Sequence, residues 1–277
     1  MKDIREKMLS VLRKYWGYTS FRPLQEEIIV SILEDKESLT VLPTGGGKSL
    51  CFQLPALMRE AMAVVISPLI SLMKDQVDAL QDMGIAAAYL NSSLSLREQR
   101  DIIGLVRGGK INLLYISPER LQSEETISLL KSVPLSFFVI DEAHCISHWG
   151  HDFRADYRNL NVIKKIFPLL SVHTFTATAT KEVQVDIISQ LGFNNPKIHI
   201  APVDRHNLIY RMSPRTVILK QITDVLEKHA DEPGIIYCLR RDDVDTISEQ
   251  LNSQGFKNLP YHAGLTDEAR HINQDKF

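Results

Sequence analysis

One stretch limits this chain more than any other: Val41-Leu42-Pro43-Thr44-Gly45-Gly46-Gly47-Lys48-Ser49. It joins an apolar run that reads as a strand, Leu39–Leu42, to a stretch at 48–60 that reads as a helix. Three successive glycines let the backbone curl until several N–H groups face one anion. A helix starting at the same place adds its positive end. Lys48 can reach β- and γ-phosphates, and the Ser49 hydroxyl can bind Mg²⁺. Thr44, Gly45, Gly46 and Gly47 form the cup. The strict phosphate-loop pattern has glycine where Leu42 stands, so the loop is a variant. A kinase-type glycine loop is excluded, because Lys48-Ser49 follows the last glycine directly and a helix comes next.

The surrounding texture agrees with such a loop. Short apolar runs at Leu39–Leu42, Ala63–Ile66, Ala86–Leu90, Leu113–Ile116, Phe137–Ile140 and His173–Thr176 alternate with helical stretches near 22–34, 48–60, 69–83, 95–107, 119–131 and 180–191. This is the rhythm of an α/β fold with a parallel sheet and crossover helices. Continuously apolar strands suit a sheet covered on both faces. Pro23 is expected as a first helical residue, Thr180 as an N-cap and Gly192 as a helix stop. Ile198–Ile200 reads as an edge strand and 202–214 as a connector. Beyond it a second α/β rhythm is expected: helix 216–229, strand Ile235–Cys238, helix 242–253, a short strand near Tyr261, and a helix from Thr266.

At roughly 150 residues per domain, 277 residues allow two domains. The expected division is 1–207, the phosphate-loop domain, and 208–277, a smaller domain cut short inside its last helix. With 32 basic and 34 acidic residues the net charge is −2, so no domain-wide basic face advertises a nucleic acid. Any such contact must be local. Cys51, Cys145 and Cys238 form no C-x-x-C pair, which argues against a zinc site or a disulfide framework and fits a reducing, cytoplasmic compartment. All three are expected to be small buried side chains. No signal peptide is read in the first residues. No apolar run approaches the ~20 residues of a membrane helix, so no membrane partner is expected.

A second motif complements the loop. The apolar run Leu135–Ile140 ends in Asp141-Glu142-Ala143-His144. Two acids at the C-terminal end of a parallel strand lie where open α/β sheets bind ligands. Beside a phosphate loop, the first can hold Mg²⁺ and the second can orient or deprotonate an attacking water.

Together these residues resemble superfamily 2 helicases. The run from Asp141 through Trp149-Gly150-His151-Asp152-Phe153-Arg154 resembles the RecQ DNA helicases in particular. So do Gly17-Tyr18 with Phe21–Gln25, Ser67–Gln76, Tyr115–Leu121, Thr176–Ala179, Ile235–Cys238 and Tyr261–Leu265. The resemblance spans nearly the whole chain. It implies two RecA-like lobes around ATP, with 1–207 as the first and 208–277 as part of the second, and ATP-driven 3′→5′ unwinding of DNA in repair and recombination. The implied cofactors are ATP and Mg²⁺. The implied partners are single-stranded and junction DNA, together with single-strand-binding and repair proteins. A bacterial member would be associated with the nucleoid.

The resemblance also distributes roles. Tyr18, Arg22 and Gln25 match the adenine-recognition motif, and a glutamine amide can pair with both a donor and an acceptor on the base. Leu24 stands where the family usually has glycine. Trp149, His151, Phe153 and Arg154 match the aromatic loop that meets single-stranded DNA and informs the ATP site; aromatic and cationic groups so interleaved can stack on bases. Thr176 and Thr178 match the motif linking hydrolysis to lobe movement, with hydroxyls placed to bond the acidic pair. Backbone N–H groups at Ser67-Pro68 and Ser117-Pro118 are expected on DNA phosphates, assisted by Arg120. His144 is expected to bridge the ATP site to the second lobe.

The family's last two motifs, a glycine-rich run and an arginine finger, are expected beyond residue 277, as are a cysteine-rich metal domain and a helical module. The chain itself is therefore expected to bind Mg-ATP and DNA, to hydrolyse ATP feebly and not to unwind duplex. Two other readings remain open. One is an ATP-gated DNA-binding module that never translocates. The other is an RNA-remodelling ATPase, since Asp-Glu-Ala-His also occurs in RNA helicases.

Overall fold

The computed structural model describes residues 2–150, 154–202, 208–230 and 232–276. The chain divides into two compact units, Met1–Arg205 and His206–Phe277. Among the described residues the first carries seven parallel strands: β1 Ser38–Val41, β2 Met62–Ile66, β3 Ala87–Leu90, β4 Leu113–Ile116, β5 Leu135–Ile140, β6 Val172–Thr176 and β7 Lys197–Ile200. Their spatial order is β3-β4-β2-β5-β6-β1-β7. β7 is an edge strand, as its sequence suggests.

The helices of this unit are α1 Lys2–Trp16, α2 Gln25–Leu33, α3 Lys48–Met58, α4 Ile70–Asp82, α5 Leu96–Arg107, α6 Pro118–Leu121, α7 Glu124–Lys131, α8 Val162–Ile166 and α9 Lys181–Leu191. They cover both faces of the sheet. Alternate residues of one strand enter opposite cores. Val64 and Ile66 of β2 join Val106 of α5 and Ile187 of α9 on one face. Ala63 and Val65 join Met8 of α1, Phe52 of α3 and Val77 of α4 on the other. Two-sided burial is why β2 and β4 read as unbroken apolar runs.

Local chemistry fixes several ends. Ser95 and Glu98 close a capping box at the start of α5. Thr180 caps α9 by accepting from the Val183 amide, and Gly192 ends it in the left-handed region. Pro23 does not begin α2. The helix starts at Gln25, after Leu24 turns through φ 67°. The expected helix at 119–131 is two, broken where Ser123 caps α7 through the Thr126 amide. α1 lies outside the helical stretches read from the sequence, although Met8 and Leu12, one turn apart, are fully buried.

In the second unit α10 Ile218–Leu226, α11 Arg241–Ser253 and α12 Asp267–Asp275 form where helices were expected. The strands expected at Ile235–Cys238 and Tyr261 do not form. A parallel strand exists only through its ladder to a neighbour, and no ladder is present among the described residues of this unit. Ile235 and Tyr237 are accordingly 64% and 90% exposed. Cys238 is half-buried, unlike the buried Cys51 and Cys145.

Candidate active site

The strand order places the site. β1 neighbours β6, but the chain leaves β1 toward β2 on one side and leaves β6 toward β7 on the other, so these adjacent strands leave a crevice at the C-terminal edge. The phosphate loop follows β1, the Asp141-Glu142 pair follows β5, and Thr176 ends β6 between them. The Leu42 amide bonds the Thr176 carbonyl at 3.0 Å. Lys48 begins α3, preceded by Gly47 at φ 79°. A side chain at Gly47 would also strike the Gln25 amide. Lys48 donates to the Leu42 carbonyl at 3.3 Å. Ser49 is half-buried in the first turn of α3, and Thr44 and Gly45 are exposed at the rim.

Arg22, just before α2, and Gln25, its first residue, meet the loop. Gln25 is 4% exposed. Its Oε1 accepts from the Arg22 amide at 2.9 Å, and its Nε2 donates to the Gly47 carbonyl at 3.3 Å. The Arg22 guanidinium donates to the Gly45 carbonyl. Tyr18 is 53% exposed.

The acidic pair is unequal. Asp141 is buried, Glu142 only partly so. Burial, and then the Glu142 charge, push the Asp141 carboxyl up to about 6. The Glu142 amide, Lys48 and a hydrogen bond from Gln76 pull the other way. Glu142 adopts φ 48°, ψ 46°, a left-handed conformation that a glutamate rarely takes. Such outliers persist where surrounding contacts over-determine them, and they cluster at functional sites.

His144 ties this corner together. Its Nδ1 lies 2.9 Å from the Thr176 hydroxyl and 3.3 Å from Glu142 Oε2. The Thr176 hydroxyl donates to the Thr178 carbonyl at 3.0 Å. Its one proton is thereby committed, which assigns the Nδ1 proton to His144 as donor. The threonine thus reaches Glu142 through His144, a different route from the direct bond to the acids that the sequence suggested. Thr178 is exposed.

The residues expected on DNA are spread along the same edge. Trp149 is 78% exposed, so it is no core residue. Its amide bonds Ser147 Oγ, which donates to Asp186 of α9 at 2.7 Å. Arg154 donates to the Pro68 carbonyl at 3.1 Å. His151 and Phe153 lie outside the described residues. Arg120 reaches Gln99 of α5. Ser67 departs from expectation: it is fully buried and its amide donates to the Ile116 carbonyl. It extends the β2–β4 ladder, so its N–H is not available to a phosphate.

Two residues at the site carry no role in the sequence reading, although Gln76 ends the matched stretch Ser67–Gln76. Gln76 bonds Asp141, and the Tyr157 hydroxyl donates to the Asp141 carbonyl at 3.1 Å. The signal for Gln76 is a polar residue on the apolar stripe Met73, Val77, Leu80 of α4. Among the described residues no helix is long and apolar enough to cross a membrane.

A parallel sheet with a phosphate loop on one strand and an acidic pair two strands away defines a P-loop ATPase core. Residues 22–185 match the family model of the DEAD/DEAH box helicases, and the chain belongs to that family. Within it, the chain is 42% identical over 274 residues to the ATP-dependent DNA helicase RecQ of Pasteurella multocida, covering 99% of this chain and 43% of that protein. It is 41% identical over 270 residues to the RecQ helicase of Bacillus subtilis, covering 97% of this chain and 46% of that one. The chain thus spans less than half the length of these relatives. The fold is that of a helicase core: the DEAD-box helicase Mss116 bound to ssRNA and UDP-BeF superposes with a TM-score of 0.70 at 18% identity, over 99% of this chain and 62% of that one.

Proposed function

We propose that this chain is the ATP-binding part of a RecQ-type DNA helicase, working 3′→5′ in DNA repair and recombination. The observation that carries the reading is the convergence of the Lys48 loop, the Asp141-Glu142 pair and Thr176 at one sheet edge, with an exposed tryptophan eight residues after Asp141. Residues 1–207 act as the first RecA-like lobe and 208–277 contribute to the second. Unwinding is assigned to the full-length protein, of which relatives of this type are more than twice as long as this chain.

ATP binds with its triphosphate in the amide cup of 44–49. Tyr18, Arg22 and Gln25 receive the adenine, which requires Arg22 and Gln25 to exchange loop carbonyls for the base. Lys48 neutralises the β- and γ-phosphates. The donor set suits magnesium: a hydroxyl on Ser49 and a buried carboxylate on Asp141 are hard oxygen ligands, with the remainder supplied by phosphate and water. Mg²⁺ bound there would neutralise charge on the phosphates. Glu142, held in its left-handed turn, orients the attacking water and accepts its proton. Thr176 and His144 connect that glutamate to the end of β6.

Trp149 and Arg154 are read as DNA contacts, with Arg120 and Thr178 further along the edge. DNA is favoured over RNA because the 42%-identical relative is named a DNA helicase, whereas the likeness to an RNA-bound structure rests on fold alone. The cytoplasm or nucleoid is the proposed location, and single-strand-binding and repair proteins are the proposed partners. The test is ATP hydrolysis by the full-length protein with single-stranded DNA, RNA or neither, at fixed salt. Stimulation by DNA well above that by RNA is expected. Equal or greater stimulation by RNA would favour an RNA-remodelling ATPase instead.

A further inference from the structure

Just past the aromatic loop, the chain enters the 3-10 helix Ala155–Asn161. Two side chains at its start are anchored in different places. The Arg154 guanidinium donates to the Pro68 carbonyl at 3.1 Å, in the loop after β2. The Tyr157 hydroxyl donates to the Asp141 carbonyl, also at 3.1 Å. One turn of backbone joins them, because the Tyr157 amide bonds the Arg154 carbonyl at 3.0 Å. The Arg154 amide in turn bonds the Cys145 carbonyl at 3.1 Å.

Tyr157 is fully buried. Its ring alone would fill the space, and a buried hydroxyl is tolerated only where it finds a partner. The partner here is a particular peptide. The Asp141 carbonyl belongs to the peptide that joins Asp141 to Glu142. The N–H of that same peptide is taken by Asp141 Oδ1 at 3.0 Å. Both polar groups of the peptide are therefore held, and its rotation sets φ at Glu142, which lies at 48°. Releasing the carbonyl frees the peptide to relax toward a commoner conformation. The carboxylate of Glu142 would swing with it.

We propose that Tyr157 is a positioning residue: its hydroxyl clamps the Asp141–Glu142 peptide in the working orientation and, through Arg154, makes that orientation answer to the aromatic loop. This rests on the reading of the pocket as a DNA-stimulated ATPase. Tyr157 is fully buried with its hydroxyl on the Asp141 carbonyl, so its effect is on turnover more than on binding.

The test is Tyr157→Phe in the full-length protein, which removes one oxygen and keeps the ring. Steady-state ATPase is measured with and without oligo-dT, alongside affinity for a fluorescent ATP analogue and the thermal midpoint. The expected result is a DNA-stimulated kcat lower by about ten- to a hundredfold. The KM for ATP and the analogue affinity stay within about twofold, a split that marks loss of an interaction used in turnover. The factor by which DNA raises kcat shrinks as well. A merely structural role would lower the thermal midpoint and leave that factor at its wild-type value; this result, or an unchanged kcat, would overturn the proposal. Absence of DNA stimulation in the wild-type protein would instead overturn the functional reading, and this clamp with it.

Discussion

Nδ1 of His144 lies 2.9 Å from the Thr176 hydroxyl, joining the turn after β5 to the end of β6. Both residues are buried. The same nitrogen is 3.3 Å from Glu142 Oε2. Glu142, proposed to orient the attacking water, is thus held by a side chain that also bonds the end of the neighbouring strand. Thr176→Val keeps the branched shape and removes the acceptor, at a stability cost of about 1 kcal/mol. The expected outcome is DNA-stimulated turnover lowered by about tenfold or more with nucleotide affinity retained. Parallel measurement of kcat and of analogue binding checks it.

Burial raises the Asp141 carboxyl to about 6, from 3.8 for a free side chain. A carboxyl with a raised folded pKa takes up a proton on folding between those two values. Its burden on stability is therefore absent below 3.8, grows as pH rises through about 6, and is complete above that. Asp141→Asn is expected to stabilise the nucleotide-free protein at pH 8 by up to about 3 kcal/mol, while abolishing hydrolysis. The gain should shrink toward zero by about pH 4. Thermal midpoints of both proteins across pH, without magnesium, provide the check. A variant less stable than wild type at pH 8 would be the wrong outcome.

Leu24 sits at φ 67°, in the region glycine prefers. Holding a leucine there costs roughly 1–2 kcal/mol. The side chain is half-buried against the α1–α2 core, and partial burial returns less than the ~1.5–3 kcal/mol of a fully buried leucine. The two effects nearly cancel. Leu24→Gly is expected to change stability by less than about 1 kcal/mol and to leave ATP affinity unaltered. Denaturant titration and analogue binding measure both.

Trp149 projects into solvent. Trp149→Ala is expected to alter stability by less than about 0.5 kcal/mol, as for other exposed sites. ATP affinity should persist, while DNA stimulation of the ATPase is lost. Unchanged stimulation in the variant would count against the loop as the DNA sensor.

Most of the first unit was legible because its chemistry is local. Gly47 and Gly192 act through their own backbone and Thr180 through a hydroxyl that caps the turn beside it, and two-sided burial is written in the apolar runs of β2 and of residues 137–140. Leu24 shows the limit: Pro23 looked like a helix start, but the left-handed turn after it decides where α2 begins. Ser67 shows another, since its amide is committed to a strand distant in sequence. Gln76, Tyr157 and the His144–Thr176 bond depend on contacts between elements, which spacing along the chain does not encode. The strands expected at 235–238 and near 261 failed for a related reason, because extended residues become a strand only through a partner.

In the proposed function, the 44–49 loop and Asp141 together hold magnesium and a triphosphate. The most direct measurement titrates the protein with a fluorescent nonhydrolysable ATP analogue, with and without Mg²⁺, beside Lys48→Ala. Saturable binding that needs Mg²⁺ and is lost in Lys48→Ala is expected. Equal binding by wild type and variant, or none by wild type, would contradict it.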